Sequence, residues 1–148
     1  MDAFTRTFLS AAAEAGVAIP TVSRHLPIYR RCIEANDSAI LVTRCTRPDA
    51  PMSGDFLLLL TYRRLVVTRE TRVLHRLGLH LNATLRHLAH VAWSTDPRDG
   101  TMELSATAVD GVRERFQMRV AQPDQVWHLD AVLKHVFTER KRNVSLAA

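Results

Sequence analysis

The chain has 148 residues, 47% of them hydrophobic, and a formal net charge of +5 at pH 7. That length holds one compact domain, or one domain with an appendage, and the apolar share supports a core without a metal or disulfide staple. The two cysteines, Cys32 and Cys45, lack zinc-ligand spacing and suggest no disulfide framework.

Residues 56–60 form an apolar run far too short to span a bilayer, and Met1-Asp2-Ala3-Phe4 is not a basic region ahead of an apolar core. The expectation is a soluble protein in a reduced, cytoplasmic setting. The positive charge is almost all arginine, with lysine only at Lys134 and Lys141. It leans toward an anionic ligand, whether nucleic acid, anionic lipid or an acidic partner.

Residues 4–15 read as a helix, with Phe4, Phe8, Ala11, Ala12 and Ala15 on one face and Gly16 as its stop. Pro20 suits the first turn of a second short helix over 21–26, and Pro27 is expected to end it. A third helix is expected over 28–35, with Tyr29, Cys32 and Ile33 inward. Asn36-Asp37-Ser38 is a turn.

Strands follow. The first is expected at 39–45, then a loop rich in Pro, Gly, Asp and Ser over 46–55, then strands at 56–62 and 65–70. The fourth lies within 73–85. There Val73, His75, Leu77, Leu79, Leu81, Ala83 and Leu85 alternate with a mostly polar set, the period of a strand with one dry face. Gly78 marks a candidate bulge. The fifth strand is expected at 87–93, and Asp96-Pro97-Arg98-Asp99-Gly100 is a turn. The sixth, 101–109, puts Met102, Leu104, Ala106 and Ala108 on one side. The seventh, 112–120, points Val112, Phe116, Met118 and Val120 inward, with Glu114 the one polar residue on that side. A last helix begins near Pro123 and Asp124, with Val126, Leu129, Leu133, Val136 and Phe137 as its apolar stripe. Trp93 and Trp127 are expected to anchor the core.

Seven antiparallel strands and one amphipathic C-terminal helix make an α+β chain in the order of a pleckstrin-homology-like (PH-like) half-barrel. Three stretches resemble bacterial members of that superfamily: Leu58-Leu59-Leu60-Thr61-Tyr62-Arg63-Arg64-Leu65-Val66-Val67-Thr68, Leu85-Arg86-His87-Leu88-Ala89-His90-Val91-Ala92-Trp93, and the final strand running into Asp124-Gln125-Val126-Trp127. The resemblance implies a barrel domain at 39–142; the residues themselves give an N-terminal helical segment at 1–38 before it and a flexible tail at 143–148 after it. It also implies a non-enzymatic binding or adaptor module without a cofactor, whose partner is a protein or peptide, or an anionic lipid headgroup.

A second resemblance lies at residues 7–26. Ala15-Gly16-Val17 and Thr21-Val22-Ser23-Arg24 look like the helix-turn-helix of lactose-repressor-type regulators. It implies Thr21 and Ser23 at phosphate or base edges and Arg24 at a guanine edge, which is the alternative of a DNA-binding regulator. Pro27 departs from that pattern, as does the absence of a hinge segment.

Arg44 and Arg47 at the end of the first strand, and Arg69 and Arg72 at the end of the third, are expected at one rim. Their planar donor forks could hold an anion there, or they could be a solvated rim neutralised by Asp49, Asp55 and Glu70. Arg113, Arg115 and Arg119 form an outward stripe on the seventh strand. His87 and His90, three apart on a strand, point to opposite faces, so no metal site is expected from them or from His75 and His80. Ser23 and His25 lack a third orienting group, and Cys45, which could be exposed at its strand end, is not marked as activated, so no catalytic residue is expected.

Overall fold

The computed structural model describes the backbone of residues 1–120 and 122–147 and the side chains of residues 1–120 and 122–138. The tail expected at 143–148 therefore falls outside the residues described in full.

Seven strands form one antiparallel sheet: β1 (Ala39–Thr46), β2 (Asp55–Thr61), β3 (Arg64–Glu70), β4 (Leu77–Thr84), β5 (Ala89–Asp96), β6 (Thr101–Thr107) and β7 (Arg113–Arg119). Their spatial order is β4-β3-β2-β1-β7-β6-β5. One face of this sheet turns inward. Phe56, Leu58, Leu60, Leu65, Val67, Met102, Leu104, Phe116 and Met118 make its core, and the C-terminal helix α3 (Gln125–Ala147) adds Leu129, Leu133, Val136 and Phe137. The stripe expected from the sequence thus plugs the half-barrel. Burying that apolar surface supplies most of what holds the helix in place.

The seam of the half-barrel is short. β1 meets β7 at two residue pairs, Cys45 with Met118 and Thr46 with Gln117. β2, by contrast, pairs with β1 and β3 over nearly its whole length.

The alternation expected over 73–85 holds only in its second half. Thr68 of β3 faces Leu79 while Val67 faces Leu81, so His80 is the extra residue of a β-bulge, two positions beyond Gly78. Leu81, Ala83 and Leu85 pack inward as expected. Upstream of the bulge the phase reverses: Leu79 is 49% exposed, and His80 turns inward between Phe56 and Phe116. Val73 and Leu74 belong to an exposed loop, as does Val112 before β7. Trp127 also departs from expectation and is exposed on α3. Trp93 is half-buried, its indole N–H donating to Asp130 at 2.8 Å.

At the N-terminus two helices form a hairpin, α1 (Ala3–Glu14) and α2 (Ile19–Cys32). Asp2 caps α1 by accepting from the Thr5 amide at 2.7 Å. The expected break at Pro27 does not occur, and one helix replaces the two expected. Pro27 removes one helical hydrogen bond. α2 nevertheless runs through it because Val22, His25 and Tyr29 on one face are all buried, which outweighs the local penalty. The hairpin packs on the outer face of β1 to β3. Phe4, Phe8, Ala12, Val22 and Tyr29 share a second core with Val42, Leu57, Leu59 and Val66. β2 is consequently dry on both faces, which explains its unbroken run of leucines.

Candidate functional site

A cavity of about 600 Å³ opens where α2 crosses the outer face of the sheet. Its walls include Thr21, Arg24 and His25 from α2, Arg44 and Thr46 from β1, Glu70 from β3, and Gln117 and Arg119 from β7. Strand alternation selects these residues. Val42 faces the hairpin, so Arg44 and Thr46 do too; Met118 faces the barrel core, so Gln117 and Arg119 face outward.

Three guanidinium groups therefore converge on one cavity. Arg24 is 3.0 Å from the Glu70 carboxylate. Arg44 and Arg119 have no carboxylate within ion-pairing distance among the described residues; Arg119 donates only to the Asp99 carbonyl, at 3.4 Å. Arg44 and Arg119 stand next to the last paired residues, Cys45 and Met118, at the point where β1 and β7 part, and both line the cavity. Like charges gathered at one cavity repel, so an anion entering here relieves that repulsion.

His25 closes the floor of the cavity. Its Nδ1 lies 2.6 Å from the Thr68 hydroxyl, and its Nε2 is 3.8 Å from Glu70. Burial pushes its pKa below the ordinary value of 6.5, against the upward pull of Glu70, while Arg24 and Arg44 push the same way as burial. The unfolded chain therefore takes up a proton at His25 before the folded chain does. Stability is expected to be full above about pH 6.5 and to fall as pH drops from there toward the lower folded value. Urea titrations between pH 7.5 and 5 check this. A slope over that window unchanged by His25→Asn would show that the titrating group lies elsewhere.

The expected rim arginines divide. Arg44 lines the cavity. Arg47, an odd number of residues further along, points to the barrel side, where it approaches Glu114 at 3.6 Å. Arg69 donates to the Ser53 carbonyl and Arg72 lies 3.5 Å from Asp55, so both are tied to the loop before β2. Gly54 in that loop has φ of +136°, and a Cβ there would stand 2.7 Å from the Glu70 carbonyl oxygen. All four arginines sit at one end of the sheet, but on different faces and with different partners. Of the helix-turn-helix residues, Thr21 and Arg24 line the cavity while Ser23 is exposed on α2. In the outward stripe of β7, Arg115 is held by Asp49 and Glu103 and Arg113 by Ser105, Thr107 and the His90 carbonyl. Only Arg119 reaches the cavity.

Cys45 is buried rather than exposed, and burial pushes its thiol up to about 12, which disfavours the nucleophilic thiolate. Among the described residues no three His, Cys, Asp or Glu side chains are grouped to hold a metal ion. No described helix is long and apolar enough to cross a membrane.

The strand order, the inward-facing core and the plugging helix give the α+β half-barrel architecture expected of a PH-like fold. A crystal structure of a pleckstrin homology domain from Shewanella amazonensis SB2B is similar, with a TM-score of 0.47 and 15% identity, covering 80% of this chain and 97% of that one. No family model matches the chain. No curated protein matches it either.

Proposed function

We propose that the protein is a non-enzymatic binding module that recognises a protein partner through an acidic group seated between Arg44 and Arg119. The observation that carries this reading is two exposed guanidinium groups, Arg44 and Arg119, that have no carboxylate partner among the described residues and line one cavity large enough for side chains. Arginine suits the task because its fork binds a carboxylate in two-point fashion and holds its charge at every physiological pH. The neighbouring Arg24 is held by Glu70, so the net positive charge of the cavity rests on Arg44 and Arg119.

The test is affinity capture from lysate on the full chain, with and without nuclease, comparing wild type with Arg44→Glu/Arg119→Glu. A protein recovered in both conditions and reduced at least tenfold by the double variant supports the reading. Recovery of DNA that is lost with Arg24→Ala and falls steeply with salt overturns it in favour of a DNA-binding regulator. Sedimentation with anionic vesicles, abolished by Arg44→Ala/Arg69→Ala, overturns it in favour of a lipid headgroup.

A further inference from the structure

β7 pairs with β1 only at Cys45 and Thr46 and then turns away, the Val120 amide donating to the Gly100 carbonyl at 2.9 Å. Residues 40–44 of β1 are left without a strand partner on that side among the described residues; on the other side 41–44 pair with β2, and Ile40 lies in a bulge. Ala39 is already closed off, its amide held by the Thr7 hydroxyl at 2.8 Å. The open edge is thus five residues long, about 17 Å at strand rise, and Arg44 stands at its end. It is not filled by packing. A second cavity, of about 480 Å³, lies along it between the end of α1 and the start of α3. The cavity reaches Leu129 and Val132 of α3 on one flank and Ala11 and Glu14 of α1 on the other, and it adjoins the arginine cavity at Arg119 and Val120.

An interior strand that loses its neighbour halfway presents backbone donors and acceptors at alternate residues, a ready template for another strand. We propose that residues 40–44 of β1 take up an extended segment of the partner, which continues the line that β7 leaves, with an acidic residue of that segment meeting Arg44 and Arg119 and its flanking apolar residues facing Leu129 and Val132. The inference rests on the function proposed above and names the form of the partner. The pattern of the segment follows from the pleat. Arg44 and Arg119 are on the hairpin side of the sheet and Leu129 and Val132 on the barrel side, so successive residues of an added strand alternate between an arginine-lined wall and an apolar one. Charge also decides the occupant. A second copy of this chain carries a net charge of +5, whereas two guanidinium groups without a carboxylate partner among the described residues, at the end of the edge, select an acidic segment.

The experiment uses the full chain against a displayed library of randomised ten-residue peptides, followed by synthesis of the enriched sequence and amide hydrogen exchange on the complex. Enrichment of an acidic residue flanked by apolar ones is expected. So are slowed exchange confined to amides within residues 40–44, and affinity at least tenfold weaker in both Arg44→Glu/Arg119→Glu and Val132→Arg. Unchanged thermal midpoints keep those variants interpretable, and the exchange pattern of the wild type stands independently of them. A peptide lost with the arginine variant, but held by Val132→Arg and without protection at residues 40–44, overturns the strand-addition proposal and leaves the acidic-group reading intact. Enrichment of peptides without acidic residues, of no peptide, or of binding carried by self-association of the chain overturns both.

Discussion

Tyr29→Ala is expected to lower the free energy of unfolding by about 3–5 kcal/mol, and Tyr29→Phe by about 1–2 kcal/mol. Tyr29 is fully buried where α2 lies on the sheet, and its ring packs against Phe8 with centroids 5.3 Å apart. Its hydroxyl donates to the Leu57 carbonyl at 2.7 Å and lies 2.9 Å from the Thr68 hydroxyl, which also bonds His25. The phenylalanine variant keeps the packing and removes one polar partner from that network. The alanine variant removes the central side chain of the second core and leaves a cavity against β2. The damage should be local in origin. Hydrogen exchange of α1 and α2 amides should accelerate first, because their contacts with the sheet run through this core. Urea unfolding of the three proteins decides the matter. An alanine variant within about 1 kcal/mol of wild type would mean that the hairpin contributes little to the stability of the barrel.

Strand positions were legible because alternation and turn chemistry act over a few residues. Met102, Leu104 and Ala106 on one face of β6, and the turn at Asp96-Pro97-Arg98-Asp99-Gly100, depend on little else. The bulge at His80 was not legible from its own strand. It is fixed by the chance to bury His80 against Phe56, Phe116 and Glu114, all distant in sequence. Pro27 misled for a related reason: a local penalty of a few kcal/mol yields to the burial of a whole helix face. The run Phe56 to Leu60 did hold a usable signal, since a strand without alternation is buried on both sides and something must cover its second face. That cover is the hairpin.

The site was only half legible. Arg44 is on β1 and Arg47 is the first residue after it, so continuing the pleat over three residues puts them on opposite faces. The cavity draws Arg24, Arg44 and Arg119 from three elements, 20 to 95 residues apart in the chain, and only the strand order 2-1-7 together with the docked hairpin unites them. Glu70, expected only to neutralise a rim, organises the cavity floor through Arg24 and His25.

Glu114 is the one polar residue on the dry side of β7, and its partners make the second large expectation. Its carboxylate lies 3.1 Å from His80 Nε2 and 3.6 Å from Arg47, whose guanidinium stands 6.0 Å from the centre of the Phe56 ring. Arg47 Nε is buried without a hydrogen-bond partner among the described residues. Glu114→Ala leaves Arg47 without its counter-ion in a largely enclosed position, at an expected cost of about 2–3 kcal/mol, below the full value for a buried pair because the Arg47 side chain retains 24% exposure. The three side chains come from β4, the residue just after β1, and β7, and they sit beside a seam only two residue pairs long. Their role is then to hold the curvature of the half-barrel at its weakest join. An isosteric apolar replacement tests that role separately from stability: Glu114→Leu/Arg47→Met/His80→Leu should recover most of the lost free energy. It should also accelerate amide exchange at Cys45 and Met118, because apolar contacts do not specify that register. A double-mutant cycle between Glu114→Ala and Arg47→Ala should give a coupling of about 1–2 kcal/mol. A coupling near zero, together with unchanged exchange at the seam in the apolar variant, would remove Glu114 from the forces that hold the join and leave the β1–β7 seam to its two pairs alone.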